Sequence, residues 1–219
     1  MSIGELNVVS VSNLKLEEKP DIADPGWFAG LDLPTSKRVT DLESTHYIFT
    51  DFLSKVSSKW RSEIGKTPSP PWPVGTAANR GEDMMEKVKS TPGTIGYIEL
   101  GFTENDKTVS VGMVQNSAGN FVSATEASIA AAYHSLEKFM PADFRASLTN
   151  APGKDAYPVT SFTWLYVPER SADPERSKAL VNYLGWVLTT GQQSAEKHGY
   201  TPLPASLVPK ALAKARALY

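Results

Sequence analysis

The sequence contains no cysteine. That excludes disulfide frameworks, thiolate zinc sites, iron–sulfur clusters and cysteine nucleophiles, while leaving the compartment open. Histidine is scarce as well. His46, His134 and His198 stand far apart, with no H-x-x-x-H or H-E-x-x-H pattern, so a histidine-built metal site is not expected. No run approaches eighteen apolar residues, and insertion into a membrane is not expected. The opening MSIGELNVVSVSNLKLEEKP has a short apolar stretch broken by Ser and Asn, with no Lys or Arg ahead of it, so as it stands it does not read as a signal peptide. Charge of one sign is also lacking: 22 Lys and Arg face 24 Asp and Glu, a net charge of −2. A nucleic-acid partner would call for a basic excess, and an anionic membrane surface for a polybasic segment.

What is present is an ordinary globular composition, 41% hydrophobic and 21% charged over 219 residues, enough for one large domain or two small ones. Two irregular connections punctuate it. TPSPPWPVGTAANRG, residues 67–81, carries four prolines and two glycines, and NAPGKDAYP spans residues 150–158. Between them the hydrophobic periods predict alternating elements. Ile48, Phe49, Phe52, Leu53 and Val56 form one helical stripe over residues 45–57, with Ser44 placed to cap it. Residues 82–89 predict a short helix with Met84, Met85 and Val88 inward. TIGYIEL, residues 94–100, predicts a strand, and residues 108–115 a half-buried one alternating Val109, Val111 and Met113. Residues 123–139 predict a helix burying Ile129, Ala132, Tyr133, Leu136 and Phe139. VTSFTWLYV, residues 159–167, predicts a central strand. Pro174 opens a long helix with Leu180, Val181, Leu184 and Leu188 packed, ending near Gly191 or Gly199, and residues 206–218 predict a last one. The class is α/β.

Catalytic patterns are missing. There is no G-x-S-x-G elbow, no G-x-x-x-x-G-K-[ST] loop and no G-x-G-x-x-G. The acidic pair Glu82–Asp83 opens a helix, where it complements the dipole. An enzyme is therefore not expected, and no cofactor is called for. One stretch does carry chemical interest: RVTDLESTHYIFTDFL, residues 38–53, a polar turn feeding an apolar helix. A helix N-terminus offers free N–H groups and about half a positive charge to an anion. Ser44 and Thr45 add hydroxyls there, and Asp41 can accept from a protonated oxyanion. The same residues also suffice for a plain N-cap turn.

Several segments in order resemble the phosphate-binding component of bacterial ABC phosphate importers. They are YIFTDFLSKVSSKWRSEIGK (47–66), PPWPVGT, TPGTIGYIEL, LTNAPGKDAYPVTSFTWLYVP (148–168) and LGWVLTTGQQSAEKHGYTPLP (184–204). The likeness runs over about residues 22–208. It implies a periplasmic-binding-protein-like fold of type II: two α/β lobes joined by crossing strands, with phosphate between them. On that likeness residues 1–158 form the second lobe, with the crossing strand VVSVSNL at its start, and residues 159–219 form the remainder of an incomplete first lobe. The chain reads as shortened at its N-terminus relative to the family.

The family's loop pattern R-S-D-G-S-G-T-T falls on Val39, Thr40, Asp41, Leu42, Glu43, Ser44, Thr45 and His46. Asp41 and Thr45 are kept. The arginine position is Val39, with Arg38 one residue away, the serine is Glu43, and both glycines are lost. The resemblance implies phosphate contacts from Arg38, Asp41, Ser44 and Thr45. The departures imply weakened or lost affinity, since arginine supplies a bidentate charge-assisted grip and glycine lets the backbone approach. Implied partners are inorganic phosphate, the membrane permease of the importer and a second copy of the chain. The implied location is periplasmic or cell-surface, the cytoplasm remaining open if no signal precedes Met1. The alternative is a repurposed scaffold or interaction module without an anion site, pairing with a chain that carries the missing lobe.

Overall fold

A computed structural model describes residues 2–12, 43–72, 75–78, 80–103, 106–165, 167 and 173–217, giving the backbone path alone for residues 2–12, 43 and 44. Its axis is one long strand, β1 (Ser2–Ser12). The first half of β1 pairs with β6 (Thr160–Trp164), Asn7 opposite Thr160 and Ser2 opposite Trp164, with a register irregularity between Ser2 and Gly4. Its second half pairs with β2 (Ile95–Glu99), Val8 opposite Glu99 and Ser12 opposite Ile95. β3 (Ser110–Val111) joins at Val11 and Ser12. All three pairings are antiparallel. The Val-rich, β-branched sequence of β1 suits a pleated surface with neighbours. The segment predicted as a central strand, β6, pairs with β1 alone among the described residues, and β1 takes the central place.

The predicted helices form with shifted ends. α1 is Glu43–Val56, and Ser44 lies inside its first turn rather than at its cap. Ile48, Phe49, Phe52 and Leu53 are buried as their spacing requires, each side chain contributing about 1.5–3 kcal/mol of burial, while Val56 faces solvent. α2 (Ser58–Glu63) is capped by the Ser57 side chain accepting from the Trp60 N–H. α3 (Gly81–Ser90) buries Met85 and Val88. α4 (Glu126–Leu136) starts at a capping box between Thr125 and Ser128. α5 (Pro174–Val187) starts where Asp173 accepts from the Glu175 and Arg176 N–H groups, and α6 (Val208–Arg216) closes the chain.

Three expectations fail for local reasons. Residues 108–115 do not make one alternating strand. After β3 the chain leaves the first sheet, and β4 (Val114–Gln115) pairs with β5 (Phe121–Val122) instead. Val109 is buried, but Val111 and Met113 are exposed. The helix predicted over 123–139 stops at Leu136 and tightens into a 3₁₀ turn, Glu137–Phe139. The changed period carries Phe139 off the buried face, to 79% exposure. The long helix ends at Val187, and 3₁₀ turns at Thr190–Ser194 and Glu196–His198 carry the chain on to Gly199.

The buried side chains fall into two main clusters. One gathers α1, Trp60, α3, Tyr97 and Ile98 of β2, Ile129, Tyr157 and Val159. The other gathers Tyr133, Phe144, Leu148 and Phe162 with Leu184, Leu188, Leu203, Leu207, Ala211 and Ala215. Two polar hubs tie loops to these cores. Asn116 donates to the carbonyls of Gly153, Lys154 and Ala156 and accepts from the Ala118 and Asn120 N–H groups, which satisfies the whole amide. Asp51, buried on α1, accepts from Thr149 at 2.5 Å, Ser147 at 2.7 Å and Lys66 at 3.0 Å, with Lys55 at 3.3 Å.

Burial alone would push the Asp51 carboxyl up, but the hydrogen bonds from Thr149, Ser147 and Lys66 and the charge of Lys55 together hold it below the usual carboxylate value. A depressed folded value stabilises above the unfolded pKa of about 3.9, and the benefit disappears as pH falls through the folded value. Asp51→Asn is therefore expected to cost about 1.5–3 kcal/mol at pH 7, the range for hydrogen bonds to a charged group. In urea unfolding of both proteins, the gap should narrow at pH 3. An equal gap at both pH values would show that the charge of Asp51 is not what ties these loops to α1.

Candidate functional site

The first turn of α1 lies on the end of β2. Residues alternate across a strand, so Tyr97 and Glu99 share one face, and consecutive residues of α1 meet them in turn. His46 Nδ1 hydrogen-bonds the Tyr97 hydroxyl. One residue earlier, the Thr45 hydroxyl donates to Glu99 Oε1 at 3.5 Å, a long contact. Behind these two contacts the Tyr97 ring stacks on Phe49, centroids 4.4 Å apart, and is tilted to Trp72 at 5.7 Å.

Trp72 hydrogen-bonds the Tyr97 hydroxyl, and an indole nitrogen only donates. The Tyr97 hydroxyl and His46 Nδ1 share one buried hydrogen bond, whose donor depends on the imidazole tautomer. Burial lowers the His46 pKa, which favours the neutral imidazole, and pushes the Tyr97 hydroxyl far above its ordinary value.

Glu99 sits differently. Burial raises its carboxyl, and the Thr45 hydrogen bond offsets this only in part. Tyr200 approaches from the C-terminal segment; burial and the Glu99 charge both raise its hydroxyl. The approach is made possible by two glycines. Gly199 has φ +74°, a conformation that side chains rarely adopt, and a Cβ on it would stand 2.3 Å from Gly101 Cα. Backbone therefore meets backbone where the turn after β2 crosses the turn before Tyr200.

Of the four expected anion contacts, Arg38 and Asp41 lie outside the described residues. Ser44 occupies the first turn of α1, and Thr45 is fully buried there. Glu99, Tyr97 and Tyr200 were missed from the sequence. The period of TIGYIEL carries a signal for the first two, whereas Tyr200 is a hundred residues away and carries none. Among the described residues, no group of three or more His, Asp or Glu could hold a metal ion, and no helix is long and apolar enough to cross a membrane. An open groove of about 550 Å³, lined by Glu82, Met85, Glu86, Lys89, Phe102 and Asp106 among others, includes none of these site residues.

No protein-family model matches the chain. Curated proteins do. The chain is 33% identical over 183 residues to a phosphate-binding protein PstS of Xylella fastidiosa, covering 82% of this chain and 50% of that one. It is 34% identical over 206 residues to the PstS of Methanocaldococcus jannaschii, covering 84% and 51%. The chain is a relative of the PstS phosphate-binding proteins. It spans about half the length of the PstS proteins it matches. Solved structures show the fold. A high-affinity periplasmic phosphate-binding protein (PfluDING) bound with phosphate superposes with a TM-score of 0.69 at 17% identity, over 97% of this chain and 70% of that one. An ancestral soluble variant of the human phosphate binding protein gives 0.69 at 18%, over 97% and 71%. The fold is that of the type II periplasmic binding proteins, as the resemblance to the PstS family implied.

The buried His46 makes one testable demand. Its folded pKa lies below the unfolded value of about 6.5, so on acidification the unfolded chain binds the proton first, and stability falls as pH drops below about 6.5. His46→Gln should remove that dependence. Thermal unfolding between pH 7.5 and 5.5 should show the parent losing stability faster than the variant, and parallel curves would contradict the neutral, buried imidazole.

Proposed function

We propose that this chain is a non-enzymatic solute-binding protein for inorganic phosphate, related in role to the capturing component of an ABC importer and weakened in affinity. The reading is carried by the 33–34% identity to PstS proteins over more than four fifths of the chain. On this reading Arg38, Asp41, Ser44 and Thr45 are the anion contacts, gathered at the N-terminus of α1, where the free N–H groups favour negative charge. Residues 1–158 act as second-lobe material and residues 159–219 as part of the first. The membrane permease is the downstream partner, and the periplasm or cell surface the place of action.

The weakening follows from charge. The family's arginine position is Val39 here and Arg38 stands one residue earlier in the sequence, so on this reading the loop lacks its bidentate grip. On this reading Asp41 and Glu43 add negative charge to the loop that would receive a phosphate. A second reading, an interaction module without an anion site, has its own support. Thr45 turns its hydroxyl to a carboxylate, and Tyr183 and Trp186 stack on each other at the surface of α5, each more than half exposed.

Isothermal titration with phosphate, with sulfate as control, separates the two readings. The parent is expected to bind phosphate more weakly than about 10 μM, that is, with less than roughly 7 kcal/mol. Val39→Arg combined with Glu43→Ser should strengthen binding at least tenfold, about 1.4 kcal/mol. A double variant that binds no better than the parent would replace the transport reading with the module.

A further inference from the structure

We propose that the outward face of α5 is an interface at which two copies of this chain pair antiparallel across a two-fold axis. The inference does not depend on the anion reading of α1, since a solute-binding chain and an interaction module can each pair in this way. It gives the pairing a surface and a register.

The spacing of α5 separates two faces. Ser177, Leu184 and Leu188 are buried, and Leu180 packs against the same core. On the opposite side Ala179, Tyr183 and Trp186 recur at helical spacing, and all three are exposed. The Tyr183 and Trp186 rings stack with centroids 6.3 Å apart, Tyr183 being 55% and Trp186 53% exposed. Apolar side chains scattered singly over a surface need no explanation. Tyr47, for comparison, lies under the Lys66 ammonium. On α5 two large rings form one patch. Charge is missing around them: residues 179–195, ALVNYLGWVLTTGQQSA, contain no Asp, Glu, Lys or Arg in a chain that is 21% charged. Within that stretch Asn182, Thr189 and Thr190 are exposed beside the rings. Exposed Tyr and Trp in a surround depleted of charge match the core of a protein interface rather than a solvated helix face.

The face fits a second copy of itself. Its bulk lies at Trp186 and its smallest side chain, Ala179, about two helical turns earlier. In a two-fold interface every residue pair occurs twice. A parallel arrangement would set Trp186 on Trp186 and Ala179 on Ala179, with crowding at one end and a void at the other. An antiparallel arrangement, its axis between Asn182 and Tyr183, sets Trp186 of each copy over Ala179 of the other and brings the two Tyr183 rings together near the axis. The rows Ala179–Tyr183 and Asn182–Trp186, each spaced by four residues, are the ridges that such helix packing uses. At both ends Glu175 and Arg176 of one copy reach the uncharged Thr189 and Thr190 of the other, so no like charges meet. A net charge of −2 adds little repulsion between copies. The patch is a single helix face, so the pairing is weak and reversible.

Sedimentation velocity over a concentration series reads the pairing in the parent, in Ala179→Arg, in Trp186→Ala and in the size exchange Ala179→Trp with Trp186→Ala. Circular dichroism checks that each is folded. Ala179 is exposed, so arginine there obstructs a partner and not the fold. Gly191 packs against the Trp186 ring, so Tyr183→Glu takes the place of Trp186→Ala if that variant does not fold. The expected result for the parent is a reversible monomer–dimer equilibrium with a Kd between about 1 μM and about 1 mM. Ala179→Arg and Trp186→Ala should each weaken it by about tenfold or more. The size exchange should bind about threefold or more tighter than Trp186→Ala, because the two positions face each other. A parent that stays monomeric at about 1 mM, or pairing that survives Ala179→Arg, overturns the interface. A size exchange that recovers nothing overturns the antiparallel register.

Discussion

The arrangement of the site depends on the docking of the first turn of α1 against the end of β2. Two consecutive helix residues meet two alternate strand residues, His46 on Tyr97 and Thr45 on Glu99. The first contact is buried, with the Tyr97 hydroxyl linking Trp72 and His46. That chain fixes the rotation of α1 on the sheet. With the rotation fixed, Phe49, Phe52 and Leu53 enter the core, Asp51 reaches the 147–149 loop, and the helix N-terminus points to where Thr45 meets Glu99. An unsatisfied hydroxyl or imidazole here would cost about 1–3 kcal/mol, so the polar chain and the apolar stripe specify the same geometry.

The two carboxylates near α1 have contrasting surroundings. Asp51 is ringed by two hydroxyls and two lysines, and its charge stabilises the junction of three segments. Among the described residues, Glu99 has one long hydrogen bond from Thr45 and no ion pair. Burying a charge with so little compensation works against stability. Natural sequences tend to depart from local rules at functional sites. The departure here lies at the first turn of α1.

Much of this was legible in the chain itself. The helical stripe of Ile48, Phe49, Phe52 and Leu53 located α1, and Pro174 after Asp173 located the start of α5, because each signal is local and strongly periodic. Failures came where tertiary pairing decides. Val111 and Met113 alternate as a strand should, yet the chain changes partner sheets between β3 and β4. Phe139 keeps helical spacing, but the helix tightens three residues before it. For the site, the resemblance to the phosphate-binding family pointed to Ser44 and Thr45 at the N-terminus of α1. Periodicity alone could not join Glu99 to Tyr200, because their segments meet in space, at the Gly101–Gly199 crossing, and not in sequence.

The central claim is that the anion site of this PstS relative is the N-terminus of α1. Backbone amide chemical shifts of the isotope-labelled chain, followed through a phosphate titration, test it most directly. The account predicts that the largest changes fall on Glu43, Ser44, Thr45 and His46, with Glu99 and Tyr200 responding beside them, and that sites such as Tyr183 and Trp186 on α5 stay still. Phosphate-dependent shifts that cluster away from that turn, or none at millimolar phosphate, would contradict it.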